Sequence, residues 1–141
     1  MKAKISENAS GYYMSGLNCA EAVLRAALEQ IESVDKEIFR MATPFGGGVG
    51  GTKQELCGAL AGGVMAIGYL CGRTDAEVDA GPSKAIAAIL RERFVQSAGK
   101  TQCQILIDEF GPEQQKEKCA VLVFQTAGWV VDLLEEHESL K

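Results

Sequence analysis

Apolar residues along this chain recur every three or four positions, and over no useful length do they alternate with polar ones. That period belongs to helices with one buried face, whereas strands need alternation. A short first helix is expected over 5–14, broken at Ser15-Gly16-Leu17-Asn18. Asn18 has the position of an N-cap, and Glu21, three residues on, completes a capping box. The helix behind it carries Ala22, Val23, Leu24, Ala26, Ala27, Leu28 and Ile31. Ser33 or Asp35 opens a short helix to about Ala42, and Pro44, lacking a backbone donor, ends it.

A glycine loop over 45–51 comes next, and Thr52 with Glu55 makes a second capping-box pattern. A helix is predicted over 56–70, stopped by Gly72. A long one is predicted over 76–98, kinked or divided by Pro82, with Gly99 as its C-cap. Thr101 caps a short helix to about Phe110, and Pro112 opens a last helix reaching about His137. The expected fold is all-α: one compact domain over 1–141, a bundle of about six helices around a buried, Gly/Ala-rich central helix.

Positions 56–72 are uncharged, which raises the question of a membrane span. They give only about 25 Å of helix, short of the roughly 30 Å hydrocarbon core. The segment is also rich in glycine and alanine, so no span is expected. Its small residues, among them Gly58, Ala59, Gly62, Gly63 and Ala66, would let neighbouring helices approach closely.

Composition changes this picture little. Of 141 residues, 47% are hydrophobic and 23% charged, as in an ordinary globular domain. The net charge of −5 argues against nucleic acid as a partner, since phosphate binding needs clustered Lys and Arg. The basic runs are interrupted by acid, as in Arg91-Glu92-Arg93 and Lys116-Glu117-Lys118. The start, MKAKISENASGYY, has no apolar region or cleavage site of the secretory type. A cytoplasmic location is expected, where thiols stay reduced. Self-association into a homo-oligomer is left open.

The glycine loop satisfies G-x-G-x-x-G through Gly46, Gly48 and Gly51, and Gly46 to Lys53 approaches a P-loop. Both motifs carry meaning only between a strand and a helix, and the segment before this loop reads as a helix. Nucleotide binding is therefore not expected. What remains is a loop of exposed N–H groups at a helix N-terminus, which favours an anion or a thiolate.

Five cysteines in a cytosolic chain of this size call for a reason, although an inert buried thiol is the ordinary state for each alone. Cys19 follows the cap Asn18, Cys57 falls in the second turn after Thr52, and Cys103 lies two residues after Thr101. A helix N-terminus lowers a thiol pKa, so these positions favour thiolate. Cys119 opens the uncharged stretch of the last helix, where core packing is the simpler account. Cys57 and Cys71 share one predicted helix with about 21 Å of rise between them, so they cannot bridge. Cys19, Cys57, Cys103 and Cys119 remain, and no C-x-x-C occurs among them. Other constellations are poor. His137 is the single histidine and sits near the C-terminus, Glu135-Glu136 reads as solvated surface, and Trp129 fits the core.

The stretch FGGGVGGTKQELCGALAGG resembles the signature of the C_GCAxxG_C_C family, whose members are described as redox-active on the strength of their cysteines. Its Cys-Gly-Ala-x-x-Gly element matches Cys57-Gly58-Ala59-Leu60-Ala61-Gly62, and its upstream cysteine matches Cys19 in Asn18-Cys19-Ala20-Glu21. Its two downstream cysteines match Cys103 and Cys119, and Cys71 matches none. The resemblance implies a small helical domain of bacterial or archaeal type with four recurring cysteines. Related domains joined to electron-transfer proteins keep an iron–sulfur reading open.

Three functions follow. The first is dithiol/disulfide chemistry with a redox protein or a small thiol as partner, needing no cofactor. Cys57 is expected to be the most acidic thiol and the attacking one, with Cys19 the first candidate to resolve. Cys103 and Cys119 would form the other pair, and sequence leaves the three possible pairings open. The second is a binding domain in electron transfer, with Cys19, Cys57, Cys103 and Cys119 holding an iron–sulfur cluster or zinc. The third is a non-enzymatic interaction domain with inert cysteines.

Overall fold

The computed structural model describes residues 1–31 and 33–137. They form α1 (Lys2–Met14), α2 (Cys19–Leu28), a 3-10 helix (Lys36–Phe45), α3 (Gly58–Cys71), α4 (Gly81–Ala98), α5 (Cys103–Phe110) and α6 (Gln115–Glu136). Among these residues the single piece of β pairing is an isolated bridge between Leu56 and Gln102. The all-α expectation holds.

The periodic apolar positions supply the core. Leu24 and Leu28 of α2, Ile67 of α3, Ile86, Leu90 and Phe94 of α4, Leu106 of α5 and Leu133 of α6 are all fully enclosed. α1 runs antiparallel to α6: Lys2 at its start is paired with Asp132 at 2.7 Å, while Tyr13 at its end meets Cys119. α2 and α3 begin side by side, because α3 presents glycines there. A Cβ at Gly62 would strike the Ala20 carbonyl. On the other side of α3, a Cβ at Gly63 would come within 2.8 Å of Leu90 and 3.0 Å of Val130. The central helix is buried through its first turns, but Val64 and Tyr69 reach solvent, so it is not enclosed on all sides.

The Asn18–Glu21 capping box forms as expected, with both hydrogen bonds at 2.9 Å. Asp35 caps the next helix, which is 3-10 and runs through Pro44 to Phe45 instead of stopping at Ala42. The second capping box does not form. The Thr52 hydroxyl turns back to the Gly48 and Val49 carbonyls, and α3 starts only at Gly58, with Cys57 as its N-cap. The cause lies in the glycine loop. Gly47, Gly48, Val49, Gly50 and Gly51 all have φ between +65° and +71°, a left-handed turn that cannot feed directly into a right-handed helix. Val49 and Lys53 adopt this conformation despite their side chains, at a cost of order 1–3 kcal/mol each.

The remaining starts are later than the sequence suggested. Pro82 lies in the first turn of α4, where its missing N–H costs nothing, and residues 74–80 are not helical. α5 begins at Cys103 after Gln102, and not at a Thr101 cap, because Cys57 N–H takes the Thr101 carbonyl at 2.6 Å. α6 begins at Gln115, three residues beyond Pro112.

Candidate functional site

Cys19 is the first residue of α2, and its position is fixed by the cap before it. Asn18 uses its side-chain oxygen on α2 and donates its Nδ2 to the Thr43 carbonyl at 3.0 Å. The Thr43 hydroxyl in turn donates to Glu21 at 2.8 Å. This ties the start of α2 to the end of the 3-10 helix, from which the glycine loop departs. A Cβ at Gly46 would collide with the Asn18 side chain, so the loop lies on the cap. The loop therefore brings the Gly47 N–H to the Cys19 sulfur.

Cys57 comes from the other side. The segment before it is held to the start of α5: Cys103 N–H donates to Glu55 O and Gln104 N–H to Lys53 O, both at 2.9 Å. As the N-cap of α3, Cys57 turns its thiol toward Cys19 and hydrogen bonds to it. The contact is close because position 58 has no side chain; a Cβ there would collide with the Cys19 sulfur.

These surroundings separate the two thiols. The Cys19 pKa falls to about 6, first because the Cys57 thiol donates to its sulfur, and further through the N–H groups of Gly47, Ala20 and Cys19 itself. Burial opposes the shift and is outweighed. Cys57 moves the other way, driven up by its hydrogen bond to Cys19, by burial and by the Cys19 charge, with only the Ala59 N–H acting against. The expectation that Cys57 is the most acidic thiol is thus corrected. Cys57 sits on the cap itself with one N–H near its sulfur, while Cys19 has three.

Cys103 and Cys119 complete the group. Cys103 is the first residue of α5, and a Cβ at Gly48 would lie 2.8 Å from its Cβ. Its pKa is raised by burial and by the Cys19 charge, with Lys53 pulling the other way. Cys119, in the second turn of α6, is pushed up to about 11, mainly by burial. Tyr13 donates its hydroxyl to the Cys119 sulfur and moderates that rise. Cys71 ends α3, at the far end from Cys57.

Tyr13 is the member that sequence reasoning missed. Its own pKa is raised by burial and by the facing Cys119, Cys19 and Cys57, and Lys116 stands 5.8 Å from its ring centre. The available signal was its place beside a helix break six residues before Cys19. No three His, Cys, Asp or Glu side chains among the described residues are arranged to hold a metal ion, so the four-thiolate centre has no preformed site in this arrangement.

A family model described as "Putative redox-active protein (C_GCAxxG_C_C)" matches residues 17–133. The chain belongs to this family. No curated protein and no solved structure matches it. In this C_GCAxxG_C_C protein the glycines of the central element have definite duties: Gly58 makes room for the Cys19 sulfur and Gly62 for the Ala20 carbonyl. Among the described residues no helix is long and apolar enough to cross a membrane.

Proposed function

We propose that this redox-active family member is a dithiol–disulfide exchange protein in which Cys19 attacks and Cys57 resolves. The observation that carries this reading is the Cys19 sulfur itself, which accepts the Cys57 thiol and the backbone N–H groups of Gly47 and Ala20. A thiolate is the nucleophile in disulfide exchange, and one with a pKa near or below ambient pH is present without a separate base.

The steps balance. Cys19 thiolate attacks a disulfide R–S–S–R, forms Cys19–S–S–R and releases RS⁻. The Cys19 thiolate is then gone, and with it the hydrogen bond that chiefly raises the Cys57 pKa and the charge that adds to it. Cys57 loses its proton to the released thiolate and attacks the Cys19 sulfur. A Cys19–Cys57 disulfide forms and a second RS⁻ leaves. Two electrons have passed from the protein to the partner disulfide, and no cofactor is required.

The test is equilibration of reduced protein in glutathione redox buffers, with peptide mapping of the disulfides and analysis for metal and sulfide. A Cys19–Cys57 disulfide forming in a single two-electron step is expected. Cys19 and Cys57 both remaining thiols in fully oxidising buffer would sink the reading. Stoichiometric metal released only on blocking all four thiols would favour the four-thiolate alternative instead.

A further inference from the structure

Cys103 lies across the glycine loop from Cys19, near enough for the Cys19 charge to act on it. Gly47 and Gly48 are consecutive, with Cα atoms about 3.8 Å apart. The first gives its N–H to the Cys19 sulfur, and the second lies against the Cys103 Cβ. Neither carries a side chain, and both have left-handed φ, of +65° and +70°. Cys103 is held in place from the backbone, through its N–H to Glu55 O. It is also the least buried of the four thiols, whereas Cys57 is enclosed. Cys119 is differently engaged, accepting the Tyr13 hydroxyl on the side of α1.

From this placement we infer that Cys103 is the exchange thiol at the surface and that Cys19 is a hub, linked in turn to Cys103 and to Cys57. The inference rests on the dithiol reading above and refines its first step: the disulfide that Cys19 attacks is the mixed one formed on Cys103, not the external one. Cys103 gives up its proton to solvent and attacks R–S–S–R, forming Cys103–S–S–R and releasing RS⁻. Lys53 lies on the side that favours its thiolate. A thiolate of higher pKa is also the stronger nucleophile once formed. Cys19 thiolate then attacks the Cys103 sulfur and expels the second RS⁻, leaving a Cys19–Cys103 disulfide. Finally Cys57 attacks the Cys19 sulfur. Its proton passes to the departing Cys103 thiolate, so Cys103 returns as a thiol and Cys19–Cys57 is the product. The charge-bearing sulfur attacks once, and each proton has a named destination.

The experiment uses the full chain, reduced, with glutathione disulfide as the probe. In the Cys57→Ser variant the last step is blocked, and peptide mapping is expected to find Cys19 linked to Cys103. The Cys103→Ser variant is expected to form Cys19–Cys57 about tenfold more slowly than the unmodified chain, while Cys71→Ser, at the far end of α3, stays within about twofold. Should Cys57→Ser fail to fold, acid-quenched time points of the unmodified chain serve instead, with Cys19–Cys103 expected before Cys19–Cys57. The proposal is overturned if Cys57→Ser ends with glutathione on Cys19 and Cys103 a thiol, or with Cys19 linked to Cys119. It is equally overturned if Cys103→Ser leaves the rate unchanged. A Cys19–Cys57 disulfide that forms at full rate without Cys103 defeats this route and leaves the dithiol reading standing. Its failure to form in the unmodified chain defeats the dithiol reading.

Discussion

Gly58 lies against the Cys19 sulfur so closely that a Cβ at position 58 would occupy the sulfur's place. One helical turn on, Gly62 stands in the same relation to the Ala20 carbonyl oxygen. The two substitutions to alanine should therefore behave differently. In Gly58→Ala the first obstacle is the Cys19 side chain, which can rotate away, with the Ala20 backbone nitrogen next at 3.1 Å, so the larger effect expected is on chemistry: Cys19 loses its contact with Cys57 and its rapid alkylation at neutral pH. In Gly62→Ala the obstacle is backbone at the start of α2. Alanine's advantage of about 1 kcal/mol in helix propensity should then be outweighed by overpacking of about 1–3 kcal/mol. Urea unfolding checks this, and a Gly62→Ala protein at least as stable as the parent would refute the close approach.

Alkylation should single out Cys19. With iodoacetamide, its labelling rate is expected to rise with a midpoint near pH 6, while Cys57 and Cys119 stay slow to well above neutrality. Cys19→Ala removes both the hydrogen-bond partner and the charge that raise Cys57, so Cys57 should then label at lower pH than before. Mass-spectrometric site assignment against pH measures both. If Cys57 in the parent chain labels ahead of Cys19 at pH 7, the assignment of attacking thiol is reversed.

How far the sequence carries this site follows from which signals are local. The Asn18 cap is set by residues three apart, and it was legible, as were the helices that fill the core. The segment between Thr52 and Cys57 was not, because a capping-box pattern there competes with a left-handed glycine turn and with pairing to Gln102 across nearly fifty positions. That misplaced start put Cys57 inside a helix and not on its cap, and led to the wrong choice of the more acidic thiol. Cys19, Cys57, Cys103 and Cys119, whose charges act on one another in the fold, could be singled out from spacing and resemblance. Which of them bears the charge depends on the Cys57 thiol and the N–H of Gly47, contacts made through tertiary folding and invisible in any local pattern.

Tyr13→Phe removes the hydroxyl that donates to Cys119. Cys119 should then ionise at still higher pH, since that hydrogen bond is what holds its pKa down against burial. Its alkylation at pH 9 is expected to slow, while Cys103, shifted by burial, Cys19 and Lys53, keeps its rate. Unchanged Cys119 labelling would remove Tyr13 from the site.

Thr126 offers a stability test away from the thiols. Its hydroxyl is fully buried in α6 with no hydrogen-bond partner among the described residues, and its methyl faces Gly63. A buried unpaired hydroxyl costs about 1–3 kcal/mol, and valine has the same shape without it. Thr126→Val should raise the urea midpoint without altering Cys19 labelling. A loss of stability would mean that the hydroxyl has a partner in solution.

The pH dependence of folding gives the most direct reading of the Cys19 environment. An ordinary thiol ionises near 9.0, and in the folded chain Cys19 does so at about 6. Below pH 6 the thiol is protonated in both states and contributes nothing. Between pH 6 and 9 the folded state has released a proton that the unfolded state still holds, so stability rises with pH across that window. Above 9 the Cys19 contribution is complete. Cys57, Cys103 and Cys119, all raised, then favour the protonated folded form and begin to cost stability. The expected curve climbs from pH 6, peaks near 9 and falls beyond. Cys19→Ser should flatten the rise between 6 and 9 and leave the fall above 9, though made smaller by the loss of the Cys19 charge. Thermal or urea midpoints at half-unit steps of pH measure the shape. If the slope between 6 and 9 is the same with serine at position 19, the thiolate is not held at Cys19 in the folded protein.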